Sequence, residues 1–250
     1  TDSKGNRFKT EVVPAYTIPE YGIGSYSMGS KVDNSTNKNM LTQQAMSKTY
    51  IEVAGQWEET GVGISTWNNQ WNYTNTDGSI TEDTNIPANQ KIWRKHKSFI
   101  WDGELNADGT YLGFVGEDDN FNWGVADAGS ETVQPNPKWK NTSTTTLYDH
   151  YSMPLEARDI NNNYAATKMC DDNSKVLVTS NAAYSEIFYS GAEYVSSDTA
   201  YFDGQVKASS GRNTTKAHTG MYSVSVASGS KAFEVNLVTN PNRTGKYKVS

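Results

Sequence analysis

Apolar residues in this chain alternate with polar ones over short runs and almost never recur at the three- and four-residue spacing of a helix face. Runs such as "TEVVPAY", "KTYIEVA", "GVGISTW", "QKIWRKHKSFIW", "TYLGFV" and "TSTTTLYD" read as strands in the first part of the sequence. "MPLEARD", "NYAATKM", "SKVLVTS", "YSEIFYS", "GMYSVSV" and "KAFEVNLV" continue the pattern. Most are bounded by Gly, Asn, Asp or Pro, which supply the positive or fixed φ that turns need. The best helical window, Asn37 to Ala54, places Met40, Leu41, Gln44, Ala45 and Lys48 in rough register before turning β-branched and aromatic, which predicts one short helical turn at most. The fold class is therefore all-β, with stacked β-hairpins. Within the run at 90–101, Trp93 and Trp101 lie an even number of residues apart and share a face, which predicts their burial. "KIWRKHK" reads as a strand whose exposed face is charged.

Strand spacing divides the chain. Up to about Trp101 long polar loops separate the strands, and from Thr142 to Ser190 the strands follow one another as hairpins. A connector of low hydrophobicity, Gly191 to Lys216, then leads to a different alternating block. The expected organisation is a hairpin segment over 1–190, followed by a linker and an incomplete module over 191–250.

Composition sharpens the class. The 250 residues include 20 Gly, 15 Tyr and 7 Trp, with only 20% charged residues and a mean hydropathy of −0.72. The apolar content is thus strongly aromatic, as strands favour. A net charge of −6 and a pI near 5.1, with no basic stripe, argue against nucleic acid as a partner. No apolar run approaches the ~18 residues that span a membrane, so membrane insertion is not expected. The single cysteine, Cys170, excludes an internal disulfide, and Asp171 and Asp172 beside it oppose the thiolate that catalysis needs. The chain opens in "TDSKGNRFKTEVV" and stops within the alternating "RTGKYKVS", which reads as a piece of a longer protein.

The stretch "LYDHYSMPLEARDINNNYAATKM", residues 147 to 169, is the most ordered in its chemistry. An alternating segment ends at Tyr148-Asp149 and a turn follows. A strand from Pro154 to Arg158 then reaches Asp159, and Asn161 to Asn163 turn into the next strand. Asp149 and Asp159 can hold their turns by side chain to backbone hydrogen bonds, and the asparagines tolerate the left-handed conformation. Tyr148 and Tyr164 can lie on the sheet and cover a neighbouring hairpin where no helical layer exists.

These residues carry a family resemblance. Tyr148-Asp149, Pro154-Leu155, Asp159 and the turn from Asn161 to Tyr164 resemble one unit of the RHS, or YD, repeat, with Ser152 where Gly is usual and Asn163 at the second Gly position. The flanking "GSKVDNSTNKNMLTQ", "WRKHKSFIWDGELNADGTYLGF" and "NNNYAATKMCDDNSKVLVTSNAAYSEIFYSGAEY" are similar to stretches of very large RHS-like proteins secreted by Bacteroidetes. The resemblance implies a spiral hairpin wall enclosing a passenger, commonly a toxic C-terminal domain. It also implies export by the type IX route, a secreted or cell-surface location, and the rest of a parent chain and secretion machinery as partners. The last block, "KAHTGMYSVSVASGSKAFEVNL" with "GKYKVS", resembles the middle strands of jelly-roll modules related to carbohydrate-binding domains. Tyr222, Val224 and Val226 would then face one side and Ser223 and Ser225 the other. In such modules an acid near the first strand often holds a structural calcium, and Glu193 stands roughly there, the one cofactor suggestion in the chain.

Other motifs carry less. "ELNADGTY" imitates a calcium loop but has Glu104 at the first position and Val115 at the twelfth, so a tight hairpin turn is expected. The neighbouring acids Glu58 and Glu59, and Glu117 with Asp118 and Asp119, do not promise two carboxyls across a cleft. His96, His150 and His218 share no ligand spacing and are expected at the surface or in turns. No catalytic residue is assigned, and the expected role is non-enzymatic. Trp67, Trp71 and Tyr73, in the polar "STWNNQWNYTNTDG", are the candidate glycan contacts and support the alternative reading, an adhesin or carbohydrate-binding module. Asp198-Thr199-Ala200 fits a short O-glycosylation signal of Bacteroidetes secretion.

Overall fold

A computed structural model describes residues 1–18, 42–68, 71–74, 80–82, 93–113, 121–123, 134–149, 151–170, 174–193, 201–202, 206–207 and 211–235. Apart from two three-residue 3-10 turns, their regular structure is strand, so the fold is all-β. Among the described residues no helix is long and apolar enough to cross a membrane.

The chain divides into two compact units, residues 1–73 with 81–163, and residues 74–80 with 164–250. The boundary expected near residue 190 lies inside the second unit. The reason is local: the hairpin of β9 (Tyr164–Cys170) and β10 (Lys175–Ser180) packs on the segment after it, where the Lys168 ammonium sits 4.3 Å from the Tyr184 ring and 5.6 Å from that of Phe188.

In the first unit, β1 (Phe8–Pro14), β2 (Gln44–Val53), β3 (Gln56–Asn68), β6 (Arg94–Trp101), β7 (Trp139–Tyr148) and β8 (Pro154–Asp159) pair in that order, each antiparallel to the next. Of two short strands off this path, β4 (Asn72–Thr74) meets β7 in parallel at Tyr73 and Tyr148, and β5 covers Ile80–Glu82. The expected helical turn does not form in its described part, since Gln44–Val53 is a strand paired on both sides. Thr49, Tyr50, Ile51 and Val53 favour the pleated surface, and two ladders outweigh the weak helical spacing. Residues 37–41 of that window lie outside the described residues.

Alternation is clearest in β3, where Val62, Ile64, Thr66 and Asn68 are buried and the intervening residues are half-buried. β2 and β3 are joined by Ala54-Gly55, both with positive φ (50° and 82°), the two-residue turn whose twist matches the strands. Val62 and Ile64 join Met46, Trp93, Phe99, Trp101, Phe121, Trp123 and Trp139 in one core cluster. Its rings meet edge to face: Phe121 lies 5.2 Å from Phe99, 4.8 Å from Trp123 and 5.1 Å from Trp139, and Trp139 lies 5.1 Å from Trp101. Trp93 and Trp101 are buried in the same cluster. Trp57 is exposed and is flanked by the Arg7 guanidinium and the Lys9 ammonium, 5.6 and 5.4 Å from its ring. Beside it, Lys9 pairs with Glu11 at 2.8 Å and lies over the Tyr50 ring, and the Tyr50 hydroxyl donates to Glu11.

The charged run is a strand from Arg94 onward, but its charges are not all outside. Lys95 is exposed, whereas Arg94 (4% exposed) and Lys97 (7%) are both buried, three residues apart. Strict alternation forbids that. Register shifts on both sides of β6, at Ser65/Trp67 of β3 and at Ser98/Phe99, reset the faces along the strand.

In the second unit "YSEIFYS" is not a strand. Tyr184–Glu186 form a 3-10 turn, and the Glu186 carboxylate accepts a hydrogen bond from Ala183 N at 3.0 Å, a local bond that competes with extended pairing. Two-residue ladders join β11 (Tyr201–Phe202) to β12 (Val206–Lys207) and β13 (Arg212–Asn213) to β14 (Ser223–Val224). Tyr222 and Val224 pack together against Ala192, while Val226, expected on the same side, is exposed. The strands that would complete a jelly roll after residue 235 lie outside the described residues.

Gly103 supplies a test of the aromatic layer. A Cβ there would fall on the Trp101 indole nitrogen, and Trp101 is held against Trp139. Gly103→Ala is expected to displace Trp101 and cost about 1–3 kcal/mol, read by urea denaturation.

Candidate functional site

Two features of the first unit are built from several elements: a five-residue turn that recurs, and a groove over the sheet face.

In the turn after β7, Asp149 N donates to Met153 O (3.0 Å) and Ser152 N to Asp149 O (3.2 Å), while Tyr151 N and Met153 N both donate to Asp149 Oδ1 (2.8 Å each). The turn after β8 repeats this atom for atom. Asp159 N donates to Asn163 O (2.9 Å), Asn162 N to Asp159 O (3.1 Å), and Asn161 N and Asn163 N to Asp159 Oδ1 (2.8 Å each). The fourth residue of each has positive φ, 73° at Ser152 and 60° at Asn162. The left-handed residue is thus Asn162 and not Asn163, the position expected to replace a glycine. Asn163 instead closes the turn, its side-chain amide donating to Asp159 Oδ2.

The same backbone pattern occurs twice more. At Asp2 to Asn6, Gly5 (φ 87°) takes the fourth position, and Lys4 N and Asn6 N both donate to Asp2 Oδ1. At Asn106 to Thr110, Gly109 (φ 86°) does so, with Asn106 N donating to Thr110 O and Gly109 N to Asn106 O. The second of these is the imitation calcium loop. It is a hairpin turn bridged by Leu105 and Tyr111, with Asp108 Oδ1 occupied by Thr110 N and its hydroxyl. The two copies are visible in sequence as "DSKGN" and "NADGT" beside "DHYSM" and "DINNN": an acid or amide first, and Gly, Ser or Asn fourth. The tight hairpin turn expected at "ELNADGTY" is thus present, whereas the copy at Asp2 lies outside the stretch that carries the Tyr-Asp resemblance.

The Asp149 turn differs from the others by burial. Asp149 is 0% exposed, and among the described residues its Oδ2 has no hydrogen-bond partner. Around it, Tyr148 donates its hydroxyl to Lys95 O at 2.6 Å, reaching across to β6, and Trp71 packs 4.6 Å from the Tyr148 ring at 73°. The Arg94 guanidinium lies 5.5 Å from the same ring, and Arg94 Nε donates to Ser152 Oγ at 2.9 Å. That bond gives Ser152 a task glycine could not perform. Burial raises the Tyr148 pKa, so its hydroxyl stays a donor.

The candidate glycan contacts do not converge on an open face. Trp71 is 4% exposed and spends its indole N–H on Asn68 O at 2.9 Å; Trp67 belongs to β3, packs on the core and donates to Gln44 O at 3.1 Å. Both were expected in a polar loop, but β3 runs to Asn68 and draws Trp67 into the ladder. The Tyr73 side chain lies outside the described residues. Pro154 begins β8 and pairs with Tyr148, and Tyr164 begins β9. Glu193 binds protein: its Oε1 accepts from Met221 N (3.0 Å) and Tyr222 N (3.2 Å), and its carbonyl from Arg212 (2.7 Å). Among the described residues no three His, Cys, Asp or Glu gather as metal ligands. Cys170, the single cysteine of the chain, is half-buried and in no disulfide.

His96 is also misplaced by the surface expectation. It is half-buried, its ring 5.6 Å from Trp71 at 90°, and its pKa is lowered to about 4 by desolvation first and then by Lys97 and Arg158.

Those two cations belong to the second feature, a groove of ≈ 440 Å³ over β6, β7 and β8. Register builds it: Lys97 faces Thr144, and Thr144 faces Arg158, so the three form one row across three strands, beside the pair Phe99 and Asn141. Pro137, Gln134 and Ile160 form other parts of its lining. Nothing in the local sequence relates residues 97, 144 and 158, and only strand pairing brings them together.

No family model, curated protein or solved structure matches this chain.

Asn162→Gly should be neutral or stabilising by up to about 1 kcal/mol, since it only relieves a left-handed residue. Ser152→Gly should be net destabilising in the same urea titration, since it also removes the bond to buried Arg94. For His96, the folded pKa lies below the ordinary 6.5, so the unfolded chain binds the proton first. Stability should be full above pH 6.5 and fall towards pH 4, by at most roughly 1.4 kcal/mol per unit. His96→Gln should flatten that part of the pH profile of denaturation midpoints.

Proposed function

We propose that this chain is a non-catalytic structural segment of a larger secreted, RHS-like shell protein, its hairpin sheet forming part of a wall around a passenger. The observation that carries the reading is the recurrent five-residue turn, which uses the same backbone bonds at four places and closes the hairpin of β7 and β8 with Asp149. A shell wall made from one strand layer needs such a turn, because each hairpin must return the chain in register for the next to pair with it. It also needs a substitute for a second layer, a part that the edge-to-face cluster around Phe121 and Trp139 can play. Export by the type IX route and a toxic passenger belong to this proposal as the properties of the proteins it resembles.

Electron microscopy of the parent chain containing this segment tests it. The expected particle is hollow, with strands winding around an enclosed lumen and this segment traceable in the wall. A solid particle, or one in which this segment stands outside any enclosure, would overturn the reading.

A further inference from the structure

We infer that the exposed indole of Trp57 is a stacking platform for an uncharged pyranose of a glycan. This goes beyond the wall proposal and does not depend on it.

The other described tryptophans are buried or packed on the core, where they serve the sheet. Trp57 keeps 36% of its surface exposed, although Arg7 and Lys9 already stand at its ring. Register explains its posture. Trp57 on β3 faces Glu52 on β2, and the two cations stand at the start of β1, one strand further on. Strands two apart lie roughly 9.5 Å from each other, so the indole and the cations meet above β2. The ring therefore leans along the sheet and offers a flat surface to solvent.

The charges around it balance. Arg7 pairs with Glu52 and Lys9 with Glu11, each at 2.8 Å, while Lys48 and Glu59 join the same cross-strand rows opposite Glu11 and Tyr50. Arg7, Lys9 and Lys48 thus stand with Glu11, Glu52 and Glu59, each keeping its full charge, and the surroundings select neither an anion nor a cation. Hydrogen-bonding capacity is a separate matter, and the pairs leave some unspent. The bonds of Arg7 to Glu52 run through Nη1, which leaves Nε and Nη2, and Lys9 has three ammonium hydrogens for one carboxylate. Among the described residues the Trp57 indole N–H meets no acceptor. The Arg7 and Glu11 side chains are 60% and 50% exposed, so a ligand can reach them.

A negative ring face beside spare donors and acceptors matches a pyranose with equatorial hydroxyls. Its axial C–H bonds meet the indole, and its hydroxyls point outward to the polar rim. A proline-rich peptide fits less well, because it docks in a groove lined by several aromatic rings. Here the neighbouring Tyr50 ring is buried under Lys9. Trp67 and Trp71 take no part.

The test titrates the ¹⁵N-labelled chain with cellotriose, trigalacturonate and hexaproline. Cellotriose is expected to shift the Trp57 indole N–H and the amides of Arg7, Lys9 and Glu52 saturably, with a Kd on the order of a millimolar that added salt leaves unchanged. The indole signals of buried Trp101 and Trp139 should stay in place. Trp57→Ala should weaken binding about tenfold or more, and Trp57→Phe, which keeps a smaller ring, should recover part of it. If Trp57→Ala does not fold, the wild-type titration still decides. Absence of shifts at Trp57 overturns the inference, as does undiminished binding by Trp57→Ala. Equal or tighter binding of hexaproline overturns the sugar assignment in favour of a peptide, and equal or tighter binding of trigalacturonate overturns the uncharged one.

Discussion

A sheet with one apolar face must cover it, and in the first unit the cover is made of rings. Helices normally supply that layer in mixed folds. Here Phe121, Trp123, Trp139, Trp101 and Phe99 supply it by meeting edge to face, each ring presenting its positive rim to a neighbour's negative face. This constraint explains the composition. A chain that stacks strands without helices needs large flat side chains in number, and 7 Trp with 15 Tyr provide them. It also explains Gly103, where any side chain would collide with an indole that the layer cannot spare.

The recurrent turn solves a different problem with a single atom. At Asp2, Asp149 and Asp159 one carboxylate oxygen gathers two backbone N–H groups, at Asn106 the neighbouring Asp108 takes the Thr110 N–H, and in all four a left-handed fourth residue sets the twist. Glycine, serine and asparagine all fill that place, and each brings something else. Gly5 and Gly109 give freedom, Asn162 gives tolerance, and Ser152 gives an acceptor to Arg94. Burial then separates Asp149 from its copies and ties the turn to Tyr148, Trp71 and β6.

What could be read from the sequence was what depends on neighbours along the chain. The period of two gave the strands, and Asp149 and Asp159 were recognisable as turn formers from the residues that follow them. Trp93 and Trp101 are both buried as expected, although the register shift between them removes even spacing as the cause. What could not be read depended on pairing. The register shifts beside β6 place Arg94 and Lys97 both inside, against the alternation that predicted a charged exterior. Trp67 and Trp71 looked like loop residues because Asn and Gln surround them, yet the ladder of β3 extends through Trp67, and a tyrosine 77 positions downstream of Trp71 (148 − 71) covers it. The groove row of Lys97, Thr144 and Arg158 is invisible for the same reason.

The margin of β1 carries a consequence of its own. Among the described residues this strand pairs only with β2, and along it Lys9 and Glu11 sit partly hydrated, clasped at 2.8 Å. A foreign strand settling against that side would have to strip water from opposite charges without offering replacements. The sheet thus carries its own guard against templated polymerisation.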